Sequence, residues 1–302
     1  MNPPHRVLRK IIPKSWYRKI NDSYNRRLGK YHTDAKRAEA SLGTVNQYWR
    51  KRIDTVIACS DNAHIPRHAD AGKLADGWIT MHNGLKVGAL GYYGEGILNM
   101  LIENKGVHEP QEERAFAEVL KHVETGSAIL ELGAYWSFYS MWFAKMVPNA
   151  RCFLIEPDSG NILSGKKNFE KNELEGVFEQ AYVGDKPGFH KDGVPVITVD
   201  DFCERHSIEH LGVLHADIQE AEVKMLSGAA RMIGEQRADY LFISTHNNEL
   251  HYACLDKIRD CGYHVLVSCD AEETAASDGV IVARRSGISV PESLEVAENS
   301  IS

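Results

Sequence analysis

No run of the 302 residues approaches the roughly 20 apolar positions that a membrane-spanning helix needs. The six cysteines (Cys59, Cys152, Cys203, Cys254, Cys261 and Cys269) form no Cys-x-x-Cys pair and no stapling pattern, so a disulfide framework is excluded. They read as reduced, mostly buried thiols, and a cytoplasmic protein is the expectation. Arg9, Lys10, Lys14, Arg18 and Lys19 interrupt every candidate apolar core near the N-terminus, so no secretory signal is expected. Internal repeats and low-complexity tracts are absent. With 43% hydrophobic and 25% charged residues and only 10 Pro, the composition excludes a disordered or collagenous chain. What is present is enough apolar sequence for one large core plus an accessory segment.

Charge is unevenly placed. Residues 1–52 hold 14 Lys/Arg and three acids (Asp22, Asp34, Glu39), whereas the whole chain carries −7. A basic arm on an acidic body fits docking back onto that body, contact with an anionic membrane surface, or pairing in a homo-oligomer; the first is favoured. Nucleic acid is not expected as a partner, because the body would repel phosphate.

The N-terminal 1–75 reads as a basic helical extension, with two amphipathic helices over 6–31 and a further helix over 34–58. Asn83-Gly84 between short apolar runs predicts a hairpin over 78–88 with both turn residues at positive φ. A short helix is expected at 97–104. From 110 to 290 strands and helices alternate: helix 110–124, strand 128–132, helix 136–146, strand 151–155, helix 161–172, strand 177–183, strand 213–216, helix 221–233, strand 240–245 and helix 250–261. Strands 264–268 and 280–284 leave no room for a crossover helix and should pair antiparallel. The fold class is therefore α/β, a doubly wound, mostly parallel sheet with an antiparallel edge. The polar tail 291–302 is expected to fray.

Ligands of such sheets bind at the carboxyl ends of the strands. There the first strand ends Glu131-Leu132-Gly133-Ala134-Tyr135-Trp136-Ser137, and the second ends Glu156-Pro157-Asp158. A carboxylate about 20 positions after a glycine-bearing turn suits the hydroxyls of a ribose. The full Gly-x-Gly-x-x-Gly fingerprint is missing, so a pyrophosphate fits poorly and a nucleoside without phosphates, such as S-adenosylmethionine, fits better. A tight turn beside a solvated acid is the plain structural alternative, and for Asp217 the plain alternative is a helix N-cap. His215 and Asp217 alternate onto one face of a strand; His246-Asn247-Asn248-Glu249, with His251 a turn later, and His108-Glu109-Pro110-Gln111-Glu112 flank neighbouring elements. Such His and carboxylate groups suit a general base or a divalent cation, and no His-x-x-x-His pair fixes a metal at these strand ends, so none is assigned. Tyr92-Tyr93-Gly94 fits a pocket wall or plain core packing.

The run AILELGAYWSFYSMWFAKMVPNARCFLIEPDSGNILSGKKNF resembles the first two motifs of the FkbM-type S-adenosylmethionine-dependent methyltransferases, and VITVDDFCERH with LGVLHADIQEAEVKMLSGA is similar to two later segments of that family. The resemblance spans about residues 110–285. It departs at Tyr135-Trp136-Ser137, where the family has Asn-x-Gly, and at Gln219-Glu220, where it has Glu-Gly. It implies a Rossmann-like methyltransferase fold, with Glu131, Gly133, Ala134 and Ser137 lining the methionine part of the cofactor, Glu156 holding the ribose and Asp217 beside the sulfonium. His246, His108 and Asp217 are the candidate catalytic residues. The implied activity is O-methylation of a hydroxyl on a sugar, glycan or natural product, the acceptor being a small molecule or glycan. A nucleoside-binding scaffold with a degenerate site and a nicotinamide-dependent oxidoreductase are the rivals.

Overall fold

The structure is a computed structural model, and it describes residues 32–276 and 278–297. The helices expected over 6–31 lie outside that range. A seven-stranded sheet organises the chain. It contains β4 (Ala128–Leu132), β5 (Arg151–Ile155), β6 (Val177–Glu179), β10 (Leu211–Ala216), β11 (Ala238–Thr245), β12 (His264–Cys269) and β13 (Gly279–Arg284), in the order β12-β13-β11-β10-β4-β5-β6. Strands β6, β5, β4, β10 and β11 run parallel; β13 pairs antiparallel with both β11 and β12. The chain leaves β4 toward β5 and β6 and returns to β10 on the other side of β4. The switch point, and so the ligand crevice, lies outside the ends of β4 and β10.

Strand alternation decides which side chains meet which layer of helices. On β4, Ala128, Leu130 and Leu132 pack on one side with Leu214, Leu241 and Ile281, beneath α7 (Val199–Arg205), α8 (Glu222–Gly228), α9 (Ala230–Gly234) and α10 (Asn248–Asp260). Ile129, Val213, Phe242 and Val282 face the other way, toward α4 (Pro110–Val119) and α5 (Phe138–Met146), and α6 (Ser159–Lys171) completes the crossovers. Pro110 begins α4, where a missing N–H costs nothing, with Glu112 and Glu113 in the first turn at the positive end of the helix dipole.

Several boundaries differ from expectation for identifiable reasons. The helix over 34–58 is two, α1 (Ala35–Ala40) and α2 (Gln47–Ala58), because Gly43 turns at φ 69° and the Asn46 side chain caps a new start. The hairpin forms between β2 (Trp78–Thr80) and β3 (Lys86–Gly88), with β1 (Leu74–Ala75) added outside β2, but only Gly84 takes positive φ. Asn83 instead accepts a bond from the Leu85 N–H at 3.1 Å, so the connection is a longer Asx-type loop. The short helix is α3 (Glu95–Glu103). The helix after β4 starts at Phe138, not Trp136, because Tyr135 and Ser137 sit at φ 38° and 66°. The strand over 177–183 divides: β6 joins the main sheet, and β7 (Tyr182–Val183) enters a small sheet with β8 (Gly188–Phe189) and β9 (Pro195–Ile197). The helix over 221–233 breaks at Ala229.

The segment after Pro291 does not fray as far as Ala297. Leu294 and Val296 pack on the core, Gln111 Nε2 donates to the Ala297 carbonyl at 2.6 Å, and the Ala297 N–H donates to Asp61 at 2.8 Å. The described part of the N-terminal extension is built into the body too. Ile53 and Val56 are fully buried in the α4/α5 core, and Arg50 grips Glu103 with two bonds of 3.1 and 2.8 Å. No helix among the described residues is long and apolar enough to cross a membrane. The six cysteines are free, and all but Cys261 are buried.

Candidate active site

The turn leaving β4 is held from three directions. Gly133 and Ala134 donate their N–H groups to the Ile155 carbonyl at 2.9 and 3.1 Å, and the Tyr135 N–H donates to Glu156 Oε2 at 3.1 Å. Gly133 is obligatory: its φ is 75°, and a Cβ there would stand 1.7 Å from the Asp217 carbonyl oxygen. The turns after β4 and β10 therefore touch, backbone to backbone. Glu156 also accepts from the Asp158 N–H at 2.8 Å and from Asn161 Nδ2 at 3.2 Å. Burial pushes its carboxyl up to about 7.

The other residues expected along the cofactor edge serve the turn from within. Glu131 is buried beneath the start of α5 and accepts the Ser140 N–H at 3.0 Å. Ala134 is buried. Ser137 is fully buried: its hydroxyl stands against Gly165 of α6, where a Cβ would come within 2.3 Å of it, and it has no hydrogen-bond partner among the described residues.

After β10 the chain passes through Asp217 and then through Gln219 and Glu220, both left-handed at φ 57° and 70°. Asp217 is not a helix cap; α8 is preceded by Ala221, which makes no side-chain cap bond. Two consecutive non-glycine residues in this region cost on the order of 1 kcal/mol each, a strain of the kind that accumulates at functional sites. Its product is a tight group around His246. Nδ1 of the imidazole lies 2.8 Å from Glu222 Oε1, and Nε2 lies 3.2 Å from Asp217 Oδ1 and 2.7 Å from the Gln219 amide. Burial alone would lower the His246 pKa, but the hydrogen bonds and charges of Asp217 and Glu222 overcome it and raise it to about 10. His246 is thus an imidazolium at neutral pH, set between the carboxylates of Asp217 and Glu222. It cannot take a proton, which corrects its assignment as a general base.

His108 is corrected for a related reason. It is buried, its Nδ1 lies 2.7 Å from Glu113 Oε1 and its Nε2 3.3 Å from Glu109 Oε2, with Tyr92, Trp136 and Phe138 edge-on around the ring. Burial opposes its charge, yet Glu109 and Glu113 hold its pKa above the ordinary value. The group facing the crevice is its neighbour Glu109, which accepts from Tyr139 Oη at 2.9 Å and lines a shallow crevice with Asp217, Ser244 and Asp278. Burial, reinforced by the charges of Glu112 and Asp217, pushes Glu109 up to about 7. The structure therefore sets Asp217 directly against His246, and relates His108 to Asp217 only through Glu109.

Below this rim lies a polar row dictated by alternation. Glu131, His215 and Ser244 occupy adjacent strands on the α4 side, and Glu112 bonds His215 Nε2 at 2.7 Å and Ser244 Oγ at 3.1 Å. His251 is spent structurally, between Thr245 Oγ1 and Ser268 Oγ at 2.9 Å each, and burial lowers its pKa. The outer wall is aromatic: Tyr92 stacks on Trp136 at 4.3 Å, and half-exposed Tyr93, strained at φ 45°, lies 5.5 Å from Tyr135. Arg52 of α2 closes the same side by donating to the Ala276 carbonyl at 3.0 Å. Sequence reasoning named Glu109 in the cluster opening at His108 without giving it a role of its own, and passed over Glu222 and Arg52. Arg52 lies 165 positions before Asp217 and gives no local signal. Among the described residues no group of three or more His, Cys, Asp or Glu is arranged to hold a metal ion.

A glycine turn touching the next strand end, an acid closing the second strand and an acidic rim thus meet at the switch point of a seven-stranded doubly wound sheet. Residues 153–265 match the model of the methyltransferase FkbM domain. The match begins in β5, so it excludes the β4 turn where Tyr135, Trp136 and Ser137 depart from the family pattern. No curated protein sequence matches the chain. Among solved structures, the chain is similar to the precorrin-6y C5,15-methyltransferase of Geobacter metallireducens GS-15 (14% identity, 58% of this chain and 89% of that one, TM-score 0.41). It is also similar to TrmK of M. capricolum in complex with S-adenosylhomocysteine (10%, 57% and 68%, 0.38). A third is the Aeropyrum pernix fibrillarin with natively bound S-adenosyl-L-methionine (15%, 53% and 67%, 0.35).

Proposed function

We propose that the protein transfers the methyl group of S-adenosylmethionine to a hydroxyl oxygen of a sugar, glycan or natural product. The observation that carries this reading is the juxtaposition of Gly133, Glu156 and the Asp217–His246–Glu222 group at the β4/β10 switch point. Glu156 accepts the ribose hydroxyls, and as an ionised carboxylate it does so best above pH 7. The carboxylates of Asp217, Glu109 and Asp278 favour a sulfonium cation in the crevice.

Methyl transfer needs the acceptor oxygen, the methyl carbon and the sulfur in line, with water excluded by the Tyr92–Tyr93 wall. The acceptor's proton leaves late, and Glu109, poised near 7, takes it. The imidazolium of His246 fixes Asp217. Methyl-labelled S-adenosylmethionine incubated with panels of sugar, glycan and polyketide hydroxyls tests the activity. Label transferred to hydroxyl acceptors and lost with Glu109→Gln supports it; label moving only to amines or carbon refutes the O-methylation.

A further inference from the structure

A second, much larger cavity of about 800 Å³ opens beside the far ends of α4 and α5. Both helices start at the crevice and run away from it, so the cavity lies toward the amino ends of the strands. Its body is apolar, built from Leu120, Trp142, Met146 and, across from them, Leu294 and Val296 of the C-terminal segment. Charged side chains also line it, Arg67, Arg114 and Lys121 beside Glu118 and Glu295.

Pairing accounts for some of these charges. Arg114 is matched by Asp61, Lys121 by Glu118, and His82 by Glu113 at 3.0 Å. Arg67 is different. Its guanidinium donates only to the Ile65 carbonyl at 2.7 Å and to Asn62 Oδ1 at 3.1 Å, and no ion pair joins it to a carboxylate among the described residues. Partial burial disfavours its charge enough to pull its pKa down. A half-buried guanidinium at the edge of an apolar chamber, with no carboxylate in ion-pair contact among the described residues and only Glu113 acting on it at longer range, is a site for an anion.

We propose that this cavity binds a small amphipathic anion, an apolar body bearing a carboxylate or phosphate, with Arg67 as the anchor of the charged end. The volume suits a ligand of small-molecule size. The site is independent of the crevice at the strand ends, so its occupancy does not require the methyl donor.

Fluorescence titration of the full chain with 8-anilinonaphthalene-1-sulfonate reads the site directly, with S-adenosylhomocysteine saturating. One saturable site is expected, displaced by dodecanoate and by dodecyl phosphate but not by dodecanol; the relative potency of the two anions identifies the preferred head group. Arg67→Gln should weaken the probe by about tenfold, the loss of one charge-assisted contact, while leaving the uncharged N-phenyl-1-naphthylamine unaffected. Met146→Trp fills the chamber from an exposed position on α5 and should abolish binding of both probes without altering the melting temperature. Equal displacement by dodecanol, binding indifferent to both substitutions, or displacement by S-adenosylhomocysteine would each overturn the proposal.

Discussion

Replacing His246 by Gln isolates the electrostatic core of the site. The wild-type imidazole is held near 10 by Asp217 and Glu222, against about 6.5 in an unfolded chain, a difference equivalent to about 5 kcal/mol by linkage. Asp217 is partly exposed and both carboxylates share the one charge, so solvent screening reduces the expectation to about 2–3 kcal/mol. The folded state binds the proton more tightly, so this stability is fully present below pH 6.5 and disappears as pH rises through 10. Urea denaturation at intervals from pH 6 to pH 10.5 measures it. The wild type should exceed His246→Gln by about 2–3 kcal/mol more at the acid end than at the alkaline end. A difference that stays flat, or an imidazole titrating between pH 6 and 7 by NMR, would show that His246 is neutral and would restore it as a candidate base.

Glu156→Ala should weaken S-adenosylmethionine by about 1–3 kcal/mol in calorimetry, because the ribose hydroxyls lose a charged acceptor; unchanged affinity would move the ribose elsewhere. Gly133→Ala should destabilise the fold by about 2 kcal/mol or more and remove the melting-temperature rise caused by the cofactor, since its Cβ meets the Asp217 carbonyl; an unaltered melt would mean the turn relaxes freely. Ser137→Gly should stabilise by about 1 kcal/mol, relieving a left-handed residue and a buried hydroxyl without a partner; a lower melting temperature would show that the hydroxyl is bonded. Glu109→Gln should cut turnover by roughly 10²-fold or more with cofactor affinity little changed, and abolish the acid limb of the rate profile near pH 7; a variant that keeps that limb assigns the proton to another group.

The sheet was legible because each strand is a short apolar run between turn signals, and β4 and β5 fall at the expected residues. The antiparallel edge followed from the short gap between β12 and β13. Element starts at the crevice were not legible: Tyr135, Ser137, Gln219 and Glu220 carry left-handed backbone that their residue types disfavour, and only the folded sheet imposes it. Positions in the site were recoverable from strand ends, but protonation states were not. His246 and His108 look like bases in a sequence; the fully buried carboxylates of Glu222 and Glu113 beside them favour their protonated forms. The docking of residues 291–297 was missed because it rests on long-range bonds to Asp61 and Gln111.

On the proposed reading the methyl donor sits at the β4/β10 switch point with its sulfur toward Asp217 and His246. A crystal structure of the protein with S-adenosylhomocysteine should show the ribose hydroxyls on Glu156, the homocysteine against the Gly133 turn and the sulfur facing the Asp217–His246 pair. Density for the nucleoside in the cavity beside Trp142, or on any surface away from Glu156, would contradict it.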